Sequence, residues 1–169
     1  MTVLPSVTLE DYAAKLAEWE NTPYRNTTMQ CGFGVDCVRF VVAIVDWLHG
    51  FQTECMPDVP VLPPQTSTHQ PTLAWSVVRW LLQRYPQHET VWTPESDMFP
   101  VIEPGDIFCI RTEENPGHAM IAGPKRNVLW HSMNSIHMRK VHPIALSWCF
   151  MPKHELLRVW RLTAMRLAK

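Results

Sequence analysis

The chain has 169 residues, a net charge of −1, and is 46% hydrophobic against 18% charged. That is enough apolar material for a core and too little charge for a disordered chain, and the length suggests one domain over residues 1–169. No run of lysine or arginine supplies the basic stripe that phosphates require, which excludes a nucleic-acid platform.

The five cysteines, at positions 31, 37, 55, 109 and 149, form no Cys-x-x-Cys pair. Neither a disulfide framework nor a zinc knuckle is expected, and nothing in the sequence requires a metal or other cofactor. No apolar run reaches the ~18 residues of a membrane span, so no membrane insertion is expected. Met1-Thr2-Val3-Leu4-Pro5 lacks the basic head and apolar core of a signal peptide. Synthesis in the cytoplasm is therefore expected, with another machine delivering the protein to any target outside.

Thr8-Leu9-Glu10-Asp11 opens the first helix, with Thr8 as its cap. Leu9, Tyr12, Ala13, Leu16 and Ala17 recur at helical spacing and form its apolar face. Trp19 follows, and Asn21-Thr22-Pro23 ends the helix. A polar loop from Tyr24 leads to Gly32-Phe33-Gly34-Val35-Asp36-Cys37, a glycine-bearing break into a second helix. Asp36 is a good N-cap, so Cys37 falls in the first turn. Beyond it the residues to Leu48 are apolar on nearly every side except Arg39 and Asp46, the mark of a buried helix. His49-Gly50 is its stop signal.

Residues 54–71 are proline-rich and read as an ordered, extended insert, since they lack the Gly/Ser richness of a flexible linker. An amphipathic helix is expected over 73–85. After Pro94 the period changes, and strands are expected at 106–111, 117–123 and 127–132, with Pro124-Lys125-Arg126 as the turn between the last two. A fourth strand is expected at 139–142 and a fifth at 156–162. Helices first and strands afterwards give an α+β fold, with N-terminal helices packed on an antiparallel sheet.

A free cysteine is most often a small buried hydrophobe. The helix start after Gly-x-Asp points elsewhere for Cys37, because the helix dipole there pushes a thiol towards thiolate. Asp36 pushes the other way, and a neighbouring imidazolium would be needed to tip the balance. The hairpin of 117–123 and 127–132 offers one. If Gly123 pairs with Arg126, His118 faces His131 directly; a looser turn makes the two neighbours or diagonal partners. Cys37 packed over that hairpin would complete a Cys-His-His row, in which a thiolate attacks, one imidazole carries the proton and a second group orients it. His137 and His142 are competitors past the third strand. Arg39 stands about 200° round the helix from Cys37. It should leave the catalytic face and pair with a carboxylate or meet solvent.

The ordered set Trp19, Thr22-Pro23-Tyr24, Gly34-Val35-Asp36-Cys37, Pro104-Gly105-Asp106, Gly117-His118 and Trp130-His131 resembles the NlpC-type cysteine peptidases. These are papain-like enzymes that cut the peptide stems of bacterial cell walls. The resemblance covers about residues 19–132 and implies Cys37 as nucleophile, His118 as base and His131 as its orienter. It also implies that Tyr24 helps hold the oxyanion and that Asp36 meets the free amine of a stem peptide. The implied substrate is peptidoglycan, at the bond from γ-D-glutamate to a diamino acid. Arg39 departs from the pattern, standing where the family often has glycine. The Gly-Val-Asp-Cys form is most like versions from phage tails, so tail proteins are expected partners. Two other readings remain open: a tail adaptor with little activity, and a delivered toxin or amidase acting on a non-wall substrate.

Overall fold

The computed structural model describes residues 6–26, 28–50, 81–112, 117–135 and 138–163. The expected proline-rich insert lies outside these residues, as does most of the expected helix over 73–85; Leu81 to Arg84 is helical.

Helix α1 spans Leu9–Trp19. The Thr8 hydroxyl accepts from the Asp11 N–H at 3.0 Å, and the Asp11 carboxylate accepts from the Thr8 N–H at 3.1 Å. This reciprocal box satisfies backbone donors that the first turn would otherwise leave orphaned. The buried stripe is Tyr12, Leu16 and Trp19, whereas Leu9, Ala13 and Ala17, expected on the same face, are exposed. Large side chains win the contact because they remove more apolar area from water than alanine does. The Tyr12 hydroxyl also donates to the Ala122 carbonyl at 2.7 Å, which anchors α1 to the sheet.

Helix α2 spans Cys37–His49, and all of it except Trp47 and His49 is buried. Asp36 caps its start, and Gly50, at φ 76°, ends it in the left-handed conformation that a side chain would disfavour.

The strands are β1 (Met29–Gln30), β2 (Gly34–Val35), β3 (His88–Trp92), β4 (Ile107–Arg111), β5 (His118–Ala122), β6 (Val128–Ser132), β7 (Val141–Ala145) and β8 (Glu155–Leu162). β1 and β2 pair with each other, and the rest form one antiparallel sheet in the order β3-β8-β4-β5-β6-β7. The α+β class with helices on an antiparallel sheet is as expected. β3 was not anticipated, and the fourth expected strand begins at Val141 and not at Arg139. α2 lies over β5 and β6. Ile107, Cys109, Ala119 and Ile121 face the helices, while Phe108, Met120, Ala122 and Leu129 build a second core on the other face. That second core is closed by the 3-10 turn Leu146–Phe150, which brings in Trp148 and Cys149. No helix among the described residues is long and apolar enough to cross a membrane.

Asp106 has a structural task at the start of β4. Its wholly buried carboxylate takes Arg161 of β8 in a two-pronged grip, Nε to Oδ1 and Nη2 to Oδ2, each at 2.8 Å. It also accepts from the Glu103 N–H at 2.8 Å. Asp106→Ala leaves a mostly buried guanidinium with Glu103 at 3.0 Å, the Val101 carbonyl at 3.1 Å and a distant Glu89. Urea unfolding should report a loss of about 3 kcal/mol, near the low end for breaking a buried pair because Glu103 remains. A loss below about 0.5 kcal/mol, the range of ordinary surface substitutions, would contradict this role.

Candidate active site

Cys37 is the first residue of α2, and the chain on either side is strapped in place. The Val35 N–H donates to Pro23 O at 3.0 Å, and Val35 O accepts from the Arg25 N–H at 3.2 Å. Val35 O also accepts from the Ser132 hydroxyl of β6 at 2.7 Å. The Tyr24 N–H in turn donates to Arg139 O at 2.8 Å. The loop bearing Tyr24, the approach to Cys37 and the ends of β6 and β7 thus form one hydrogen-bonded unit.

Cys37 is 6% exposed. The backbone N–H groups of Ala119, Val38 and Cys37 act on it and lower its pKa, but burial first and then the Asp36 charge raise it, to about 12. The opposing push expected from Asp36 is present, but burial, which the sequence did not show, is the larger cause. Desolvation penalises the charged form more than the helix end rewards it. Tyr24 sits within electrostatic reach, since the charges of Cys37 and Asp36 add to burial in raising its phenol. Its hydroxyl donates to Asn26 Oδ1 at 2.8 Å.

Asp36 and Arg39 are both buried. Asp36 Oδ1 accepts from the Arg39 N–H at 2.8 Å, and Oδ2 is paired with the Arg39 guanidinium. Of the two fates expected for Arg39, pairing with a carboxylate is the one observed. The partner is the cap residue itself, three positions earlier on the same turn.

The hairpin takes the looser of the two expected registers. The Gly123 N–H donates to Val128 O at 2.9 Å, and Ile121 pairs with Trp130. Continuing that register sets His118 diagonal to His131. The two still meet, with His118 Nε2 and His131 Nδ1 2.7 Å apart. His131 stands directly opposite His142 of β7, and their Nε2 atoms are 3.1 Å apart. Trp148 packs edge-on against the row, its ring centroid 6.2 Å from His118 and 5.4 Å from His131. By strand alternation His118 follows Met120 and Ala122, while Ala119, beside the sulfur, faces α2. The structure therefore joins His118 to His131 directly and brings Cys37 to the adjoining backbone at Ala119. Among the described residues no hydrogen bond joins the sulfur to an imidazole. The imidazoles bond to one another, and no cluster of three or more described His, Cys, Asp or Glu side chains is arranged to hold a metal ion.

No protein-family model matches the chain, and no curated protein is significantly similar to it. The site must be read from its own chemistry.

Two participants were not identified from sequence. In the sequence His142 reads only as a rival to His118, and Trp148 lies in a 3-10 turn that leaves no periodic signal. His137 lies outside the described residues.

Burial is the first cause that lowers all three histidines: His118 to about 3, His131 well below its ordinary value, and His142 in the same direction. At neutral pH they are uncharged. In the unfolded chain they return to about 6.5. Below that value the unfolded state binds more protons than the folded one, so stability rises with pH. It is complete above about pH 6.5 and is lost as pH falls towards 3, by up to about 1.4 kcal/mol per pH unit for each fully buried histidine. Thermal melts between pH 7.5 and 4 should show a falling Tm whose slope is reduced in His131→Asn. Equal slopes in the two proteins would contradict a buried, neutral row.

Proposed function

We propose that the chain is a papain-like cysteine peptidase of the NlpC type that hydrolyses the peptide stems of bacterial peptidoglycan, at a bond between γ-D-glutamate and a diamino acid, carried to the wall by a phage tail. The observation that carries this reading is the 2.7 Å contact between His118 Nε2 and His131 Nδ1, made from the strand whose next residue, Ala119, meets the sulfur of the helix-start cysteine through its backbone. An imidazole held through one nitrogen has its other nitrogen available for proton transfer.

In this reading Cys37 Sγ attacks the scissile carbonyl carbon and its proton passes round the start of β5 to His118 Nδ1, whose ring strand alternation sets on the face away from α2. Because the thiol is held near 12, the proton leaves with the attack and not before it. The first-turn N–H groups of Cys37 and Val38, with Tyr24, are the donors this reading assigns to the oxyanion. Collapse breaks the carbon–nitrogen bond, and the His118 proton goes to the leaving amine. Water, deprotonated by His118, then hydrolyses the thioester and releases the sulfur. Asp36 is already engaged by Arg39, so a substrate amine would have to share that carboxylate.

The protonated thiol is also what a tail adaptor with little activity would show, and the fold does not by itself decide between them. Digestion of purified sacculi separates the readings. Release of fragments with a new amino terminus on the diamino acid is the expected result. Intact sacculi together with cleavage of another amide would favour the delivered toxin or amidase. Inertness on both would favour the adaptor.

A further inference from the structure

We propose that His142 is a positioning residue for this site: the Lys140 carbonyl fixes the proton on His142, and three imidazoles in series carry that choice to His118, leaving its lone pair on Nδ1. The proposal deepens the reading of His118 as the base and rests on it for its catalytic meaning, while the proton pattern itself rests on geometry alone.

The outer end of the row sets the pattern. His142 Nδ1 lies 3.1 Å from Lys140 O, and a carbonyl can only accept, so Nδ1 carries the hydrogen. A neutral imidazole has one N–H, so His142 Nε2 is an acceptor. His131 Nε2 must then donate to it across 3.1 Å. That leaves His131 Nδ1 as an acceptor, so His118 Nε2 donates to it across 2.7 Å. Every ring nitrogen of the row is now assigned except His118 Nδ1, which holds a lone pair. The tautomer required of a general base is set by a backbone carbonyl two imidazoles away.

The same row offers a path for charge. A proton arriving at His118 Nδ1 makes that buried ring cationic. Transfer of the Nε2 proton to His131 Nδ1, together with transfer of the His131 Nε2 proton to His142 Nε2, leaves His118 and His131 neutral. One proton has entered and none is lost, and the cation now sits on His142. His118 is 1% exposed, whereas His142 is only partly buried, so desolvation favours the outer position. Beyond His118 and His131, the groups that act on His142 are the Glu20 carboxylate, which favours its charge, and the Lys140 ammonium, which opposes it.

Protein labelled with 15N at histidine, studied by long-range proton–nitrogen correlation at pH 7.5, reads the tautomers directly. The expected pattern is a hydrogen on Nε2 of His118 and His131 and on Nδ1 of His142. A hydrogen on His118 Nδ1 would overturn the proposal. His142→Phe removes the acceptor, so His131 and His118 should become tautomer mixtures, and kcat should fall on the order of 10- to 100-fold with KM unchanged. His142→Gln keeps an acceptor oxygen and should retain the wild-type tautomers and much of kcat. Wild-type tautomers in His142→Phe would also overturn the proposal. If the tautomers are as stated but sacculi and other amides stay intact, the peptidase reading fails while the row stands.

Discussion

Cys37→Ala abolishes stem-peptide hydrolysis, with a loss on the order of 10⁴-fold or more, because nothing else in the site can form the covalent intermediate. Of the other described cysteines, Cys109 and Cys149 are buried and Cys31 is exposed and bonded to the Glu18 carbonyl. None stands at the start of an α-helix, where first-turn N–H groups meet the sulfur. Alanine is the best helix former, and Asp36 still caps the turn through the Arg39 N–H. Circular dichroism should therefore remain that of the wild type. Hydrolysis by Cys37→Ala at more than a few per cent of the wild-type rate would remove Cys37 from the chemistry.

His118→Ala should cost about 10²- to 10⁴-fold in kcat, the range for losing a positioned general base. His131→Ala should cost less, on the order of 10- to 100-fold, because it frees the His118 ring to turn without removing it. Exchange of these roles is disfavoured by geometry. Both ring nitrogens of His131 are spent, one on His118 and one on His142, whereas His118 commits only Nε2. Steady-state kinetics on soluble stem peptides measures both variants. An equal loss in folded His118→Ala and His131→Ala would mean that the row acts only as a unit.

The parts of the fold legible in the sequence are those with local determinants. Thr8 and Asp11 announce α1, Asp36 and Gly50 bound α2, and the apolar runs of β4, β5, β6 and β8 are bracketed by turn residues. β3 escaped because it is an edge strand whose His88, Glu89 and Thr90 meet much solvent, so no clear alternation marks it. β7 carries Pro143, a residue that discourages a strand assignment. It is tolerated there because β7 is the other edge, where a missing N–H costs no ladder bond on the open side.

Of the candidate site, the meeting of His118 with His131 was legible, because one hairpin decides it. The expected Cys-His-His row is not formed: the row is completed by His142, and Cys37 reaches β5 through the backbone of Ala119. The protonation state of Cys37 did not follow, because burial is a property of the packed molecule and outweighed the helix dipole. Nor did the pairing of Asp36 with Arg39, since the helical period turns Arg39 away from Cys37 but does not show that its long side chain folds back on the cap. His142 depended on the register of a hairpin whose second strand was placed two residues too early.

The most direct test is a search for the acyl-enzyme. Protein mixed with soluble stem peptide is quenched in acid within the first turnover, and its intact mass and the peptide bearing the adduct are determined. A thioester is expected on Cys37 and on no other cysteine, with a mass equal to the acyl part of the stem and no leaving amine. Turnover without an adduct on Cys37, continuing at the same rate in Cys37→Ala, would contradict a cysteine peptidase built on this helix start.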